Sequence, residues 1–73
     1  MFKAGNVMQV QVNGDAMELP EEVTVAVLIE RMALVGKRFA VEVNEDIVPR
    51  SQHATFSLNE GDKVEVVHAI GGG

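Results

Sequence analysis

Met8-Gln9-Val10-Gln11-Val12 alternates apolar and polar residues without a break. Successive side chains of a strand point to opposite faces, so Met8, Val10 and Val12 share one face and Gln9 and Gln11 the other. Asn13-Gly14 follows and predicts a tight hairpin. The return strand is Ala16-Met17-Glu18-Leu19, with Met17 and Leu19 inward and Pro20 as its end. Thr24 is the predicted N-cap of a helix, with Glu21 and Glu22 just ahead of it. Val25, Leu28, Ile29 and Met32 then fall at i, i+3, i+4 and i+7, one apolar helix stripe. Gly36 is the predicted left-handed residue past the helix end, with Lys37 and Arg38 where the helix dipole favours cations.

Phe39, Val41 and Val43 alternate with Ala40 and Glu42 to give a third strand, closed by a turn at Asn44-Glu45-Asp46. Ile47-Val48-Pro49 is a short extended piece, because a residue before proline avoids helical geometry. Residues Arg50 to Leu58 carry no regular pattern, although Phe56 and Leu58 are assigned to the core. Asn59-Glu60-Gly61-Asp62 is a turn. Val64, Val66 and His68 alternate with Lys63, Glu65 and Val67 in the last strand. The polar positions Gln9, Gln11, Glu18, Glu42 and Glu65 leave one sheet face wet, so the helix packs on the other. A right-handed crossover through that helix pairs the first and last strands in parallel at the centre. The expected fold is therefore α+β: a β-grasp, ubiquitin-like domain with a mixed sheet of four to five strands and one main helix. Its expected span is residues 8–70, after a disordered leader or extension over 1–7 and before a flexible glycine tail over 71–73.

Composition narrows the chemistry. The 73-residue chain has no cysteine, which removes disulfides, thiolate metal sites and cysteine nucleophiles. A net charge of −5 disfavours nucleic acid and anionic membranes as partners and suits a basic protein face. Nothing resembling a signal peptide or an apolar span is present, and with the absent cysteines this makes the expected location cytoplasmic. His53 and His68 are the sole histidines, too few for a histidine metal site. Ser51 lies close to His53 in sequence but lacks an orienting third group and an oxyanion hole. The acids are scattered, and no phosphate-binding glycine loop precedes the helix. The chain is not expected to be an enzyme, and no cofactor is implied.

Gly71-Gly72-Gly73 is what remains. Without Cβ atoms, such an arm can enter a channel that any other residue would block. A carboxylate at its tip can be activated by a partner's ATP and then accept a nucleophile. The alternative is a frayed terminus. Val67 and Ala69, outward on the strand leading to the tail, are the candidate partner contacts.

Three segments, together with the glycine ending, carry a resemblance: Gln9-Val10-Gln11-Val12-Asn13-Gly14, Val43-Asn44-Glu45-Asp46-Ile47-Val48-Pro49-Arg50 and Glu60-Gly61-Asp62-Lys63-Val64-Glu65-Val66-Val67. From about Met8 to Gly73 the chain resembles the ThiS family, sulfur carriers of thiamin thiazole biosynthesis. The resemblance implies that an E1-like, ThiF-type enzyme adenylates the Gly73 carboxylate with ATP and that this becomes a thiocarboxylate. Gly71 and Gly72 would thread the partner's active site. A sulfur donor enzyme and the thiazole synthase ThiG are the other implied partners. His53 stands where the family suggests an aromatic residue. Two rivals share the fold: the molybdopterin-synthase carriers of MoaD type and a non-carrier β-grasp binding module. The ending Val67-His68-Ala69-Ile70 lacks the Pro- and Ser-containing run of the former, and the negative charge and glycine tail disfavour the latter.

Overall fold

A computed structural model describes residues 6–68. Strands β1 (Val7–Val12) and β2 (Asp15–Pro20) form the N-terminal hairpin, and helix α1 (Val25–Arg31) follows. Strands β3 (Phe39–Val43) and β4 (Asp46–Val48) form a second hairpin. A single 3-10 turn, Arg50–Gln52, and strand β5 (Lys63–His68) complete the domain. The sheet order is β2-β1-β5-β3-β4, with β1 and β5 parallel and all other pairs antiparallel. This is the expected β-grasp sheet, with five strands. β1 starts one residue earlier than its alternation suggested, because Val7 pairs with Pro20. Proline is tolerated there because β2 is an edge strand.

The core lies between the inner sheet face and α1. Met8, Val10, Val12, Leu19, Val41, Val43, Val48, Val64 and Val66 are buried from the sheet side. Val25, Leu28 and Ile29 meet them from the helix, with Met32 partly buried beside them. Leu58 is buried and Phe56 partly so, as their apolar character required.

The ends of α1 show what sequence pattern can and cannot resolve. Thr24 is the N-cap, its hydroxyl accepting from Val27 N at 3.4 Å. The other first-turn donors go to distant carbonyls: Val25 N to Phe56 O and Ala26 N to His53 O, both at 2.9 Å. The stretch from 53 to 58 is thus shaped by the helix it closes, and its own residues show no periodicity. The C-terminus corrects the expectation at Gly36. Met32 is the C-cap and Ala33, at φ 61°, is the left-handed residue. Ala33 N donates to Glu30 O and Leu34 N to Ile29 O, the paired bonds of a Schellman cap. Gly36, at φ 84°, serves instead in the next turn, closed by Lys37 N to Leu34 O at 3.0 Å. Lys37 and Arg38 therefore lie beyond the reach of the helix dipole, and Arg31 is the basic residue of the last turn.

Candidate functional site

Strand β5 is the element that carries the chain to its glycine ending, and its two neighbours hold different parts of it. β1 is in register with it only at Gln11↔Lys63 and Val12↔Val64. β3 continues alongside it to Phe39↔His68. Where β1 turns away, the Asn13 side chain takes over, Oδ1 accepting from Val66 N at 2.8 Å. The start of β5 is anchored by the turn before it. Gly61 N donates to Gln9 O at 2.7 Å, and Gln9 N donates to the Glu60 carboxylate at 2.9 Å. Asp62 is nearly buried, accepting from Asn59 N at 2.8 Å and Asn44 Nδ2 at 3.0 Å. The sheet and these anchors thus fix the direction of β5.

Val67 is 60% exposed on the outer face, opposite the exposed Ala40 of β3. The next row along the strands is Glu65, Glu42 and the 70% exposed Ile47. This face joins a small apolar area to carboxylates. Of the other residues expected at the site, Ala69, Gly71, Gly72 and Gly73 lie outside the described residues.

The inner side of the same sheet end looks different. The His53 ring stacks on Phe39, centroids 5.8 Å apart and planes 17° from parallel. Its Nε2–H donates to Val48 O at 3.1 Å. His53 is therefore half-buried structure packed on Phe39 rather than partner to the exposed Ser51. The Arg50 guanidinium lies over Phe39, 5.5 Å from the ring centre. These residues line an open groove of about 330 Å³ together with Ala26, Ile29 and Val35, and with Glu30 and Lys37. Sequence reasoning missed this groove, since three separate segments build it. The one local hint is the i, i+3 spacing of Arg50 and His53 across a single turn. Among the described residues no group of three or more metal-ligating side chains converges, and no helix is long and apolar enough to cross a membrane.

The ThiS family model matches residues 10–73, from the first strand through the glycine ending. The chain belongs to the ThiS family. The sulfur carrier protein ThiS of Escherichia coli is 33% identical over 66 residues, covering 90% of this chain and all of that protein. A thiazole synthase of Paramagnetospirillum magneticum is 38% identical over 66 residues, 90% of this chain. The chain spans only 20% of the length of that synthase. The crystal structure of the thiamine biosynthesis protein ThiS of Geobacter metallireducens superposes with a TM-score of 0.76 at 26% identity. It covers 90% of this chain and 100% of that one. The family match extends past β5 through Gly71-Gly72-Gly73.

Proposed function

We propose that this ThiS-family chain is a sulfur carrier for thiamin thiazole formation, with Gly73 as the modified residue. The single observation that carries the reading is the family match running through β5 into Gly71-Gly72-Gly73. A ThiF-type enzyme brings ATP to the Gly73 carboxylate. A carboxylate oxygen attacks the α-phosphorus, pyrophosphate leaves, and an acyl-adenylate forms. A hydrosulfide-level donor, held by a sulfur donor enzyme, then attacks the acyl carbon and expels AMP. The product is a C-terminal thiocarboxylate with one oxygen exchanged for one sulfur. Reaction at the carbonyl needs the arm inside another protein, and Gly71 and Gly72 keep it narrow enough to enter. The chain contributes an acyl group and a docking surface, and the partner contributes catalysis.

Thiazole synthase is the proposed receiver of the sulfur. Support comes from the synthases of Paramagnetospirillum magneticum and Magnetococcus marinus, which match 90% of this chain within much longer proteins. Val67 and Ala69 are the proposed contacts of the outer face with the adenylating enzyme. The acidic residues around them suit a basic rim on that partner. The expected compartment is the cytoplasm.

The test is intact mass spectrometry of the chain after incubation with ATP, a ThiF-type enzyme and sulfide. The expected result is a mass change of one oxygen for one sulfur, located at Gly73 by fragmentation. An unchanged mass, beside an enzyme shown active on another carrier, would refute the assignment. Val67→Asp should slow adenylation while leaving the melting temperature within a few degrees. Equal adenylation kinetics in that variant would remove the outer face from the docking surface.

A further inference from the structure

The groove beside the root of the tail has no part in the acyl chemistry. Its floor is apolar, formed by Ile29 and the Phe39 ring, and the 68% exposed Val35 lines it. Lys37 and Arg50 line it as well. The chain carries six basic residues against eleven acidic ones. Lys37, its neighbour Arg38, and Arg50 are half of those basic residues. Two of the six basic residues, Lys37 and Arg50, thus line one apolar groove, with Arg38 next to Lys37 in sequence.

Position gives the second argument. Phe39 is the register partner of His68, the last described residue of β5. The groove therefore opens on the helix side of the sheet end that carries His68. Val67 and Ala40 occupy the opposite side of that same end. A protein that takes the tail into a channel docks beside the end of β5, on one side of the sheet or the other.

We infer that the groove receives a segment of the tail-receiving thiazole synthase, one apolar side chain flanked by carboxylates. This rests on the carrier reading above. The apolar side chain fills the space over Ile29 and Phe39, and the carboxylates meet Arg50 and Lys37. Arg50 is already held against the Phe39 ring, so its planar donor edge loses little freedom when it binds a carboxylate. Lys37 follows Gly36 and adds a point charge on a flexible stem. Glu30, at the helix side of the groove, repels a carboxylate and so orients the segment toward Lys37 and Arg50. The two faces then do separate work. The outer face presents carboxylates around an apolar patch, and the groove presents cations around one, so a single partner surface cannot satisfy both by the same charge.

The experiment uses the full chain and the thiazole synthase of its own organism. Binding is measured by calorimetry for the wild type, for Lys37→Glu with Arg50→Glu, and for a chain lacking Gly72 and Gly73. The charge reversal is expected to weaken binding at least tenfold and to flatten its salt dependence. It should leave thiocarboxylate formation by the adenylating enzyme intact. A photo-crosslinker at the exposed Val35 needs no buried change, and its product should map to a synthase segment with an apolar residue between Asp or Glu. Unchanged affinity together with no crosslink from Val35 would overturn the groove assignment while the carrier reading stands. A wild-type chain that never acquires sulfur would overturn both, and the mass measurement tells the two failures apart.

Discussion

The two hairpins use the same turn with different residues. Asn13-Gly14 joins β1 to β2 with φ of 52° and 88°, and Asn44-Glu45 joins β3 to β4 with φ of 52° and 73°. Both are two-residue turns with positive φ at each central position, the geometry that matches strand twist. Gly14 adopts it without strain, whereas Glu45 carries a Cβ into the left-handed region at about 1–2 kcal/mol. Both turn asparagines are tied to β5: Asn13 N donates to Val64 O at 2.9 Å and Asn13 Oδ1 accepts from Val66 N at 2.8 Å. Asn44 N donates to Lys63 O at 2.7 Å, and Lys63 N returns a bond to Asn44 Oδ1 at 3.0 Å. Asn44 Nδ2 reaches Asp62. Attachment to β5 supports both turns; the first adds a glycine suited to its geometry, whereas the second carries Glu45 against its own preference and adds the bond to Asp62.

That contrast can be broken most strongly at Asp62. Asp62→Ala removes the acceptor for Asn44 Nδ2 and Asn59 N together, and about 2–3 kcal/mol of stability should go with it. Chemical denaturation reads this directly, and a loss below the error of the fit would show that the second hairpin stands alone. Asn13→Ala should cost about 1–2 kcal/mol, since it removes the partner of Val66 N and the residue suited to positive φ. Amide exchange at Val66 should rise in that variant, and unchanged protection there would contradict the assigned bond. Glu45→Gly should have the opposite sign and stabilise by about 1 kcal/mol, whereas Gly14→Ala, with open space around its Cβ position, should destabilise by a similar amount. Equal signs for the two would sink the comparison. The smallest effect is expected at the helix end, where Ala33→Gly should raise stability by about 0.5–1 kcal/mol, seen as a small rise in melting temperature.

The strands and the inner helix face were legible because they depend on period alone. Val10, Leu28 and Val64 are buried for reasons visible within a few residues of each. The helix end was not legible, because a glycine at position 36 is a stronger local signal than an alanine at 33. What decides it is the Leu34 N to Ile29 O bond of the cap, with half-buried Leu34 packed against the core. The stretch from 50 to 58 was illegible for a related reason. Its carbonyls serve the first turn of α1, and no spacing within it records that duty. The glycine ending and Val67 were readable as pattern. The groove was not, since Ile29, Lys37, Phe39 and Arg50 meet only after the crossover has closed.

The strand at the centre of the sheet is also the last of the strands among the described residues. Order during synthesis follows from this. Until residue 68 has emerged, β1 has a partner on one side only, and β3 has nothing to join it to β1. Neither hairpin is expected to be stable alone, since isolated two-stranded hairpins are marginal in water. The chain therefore cannot fold piecewise from its N-terminus. Closure waits on a contact between segments some fifty residues apart, Gln11 with Lys63, which favours slow, all-or-none folding after translation of β5. For a protein whose proposed chemistry lies just past that strand, the folded body and the presented tail become available together.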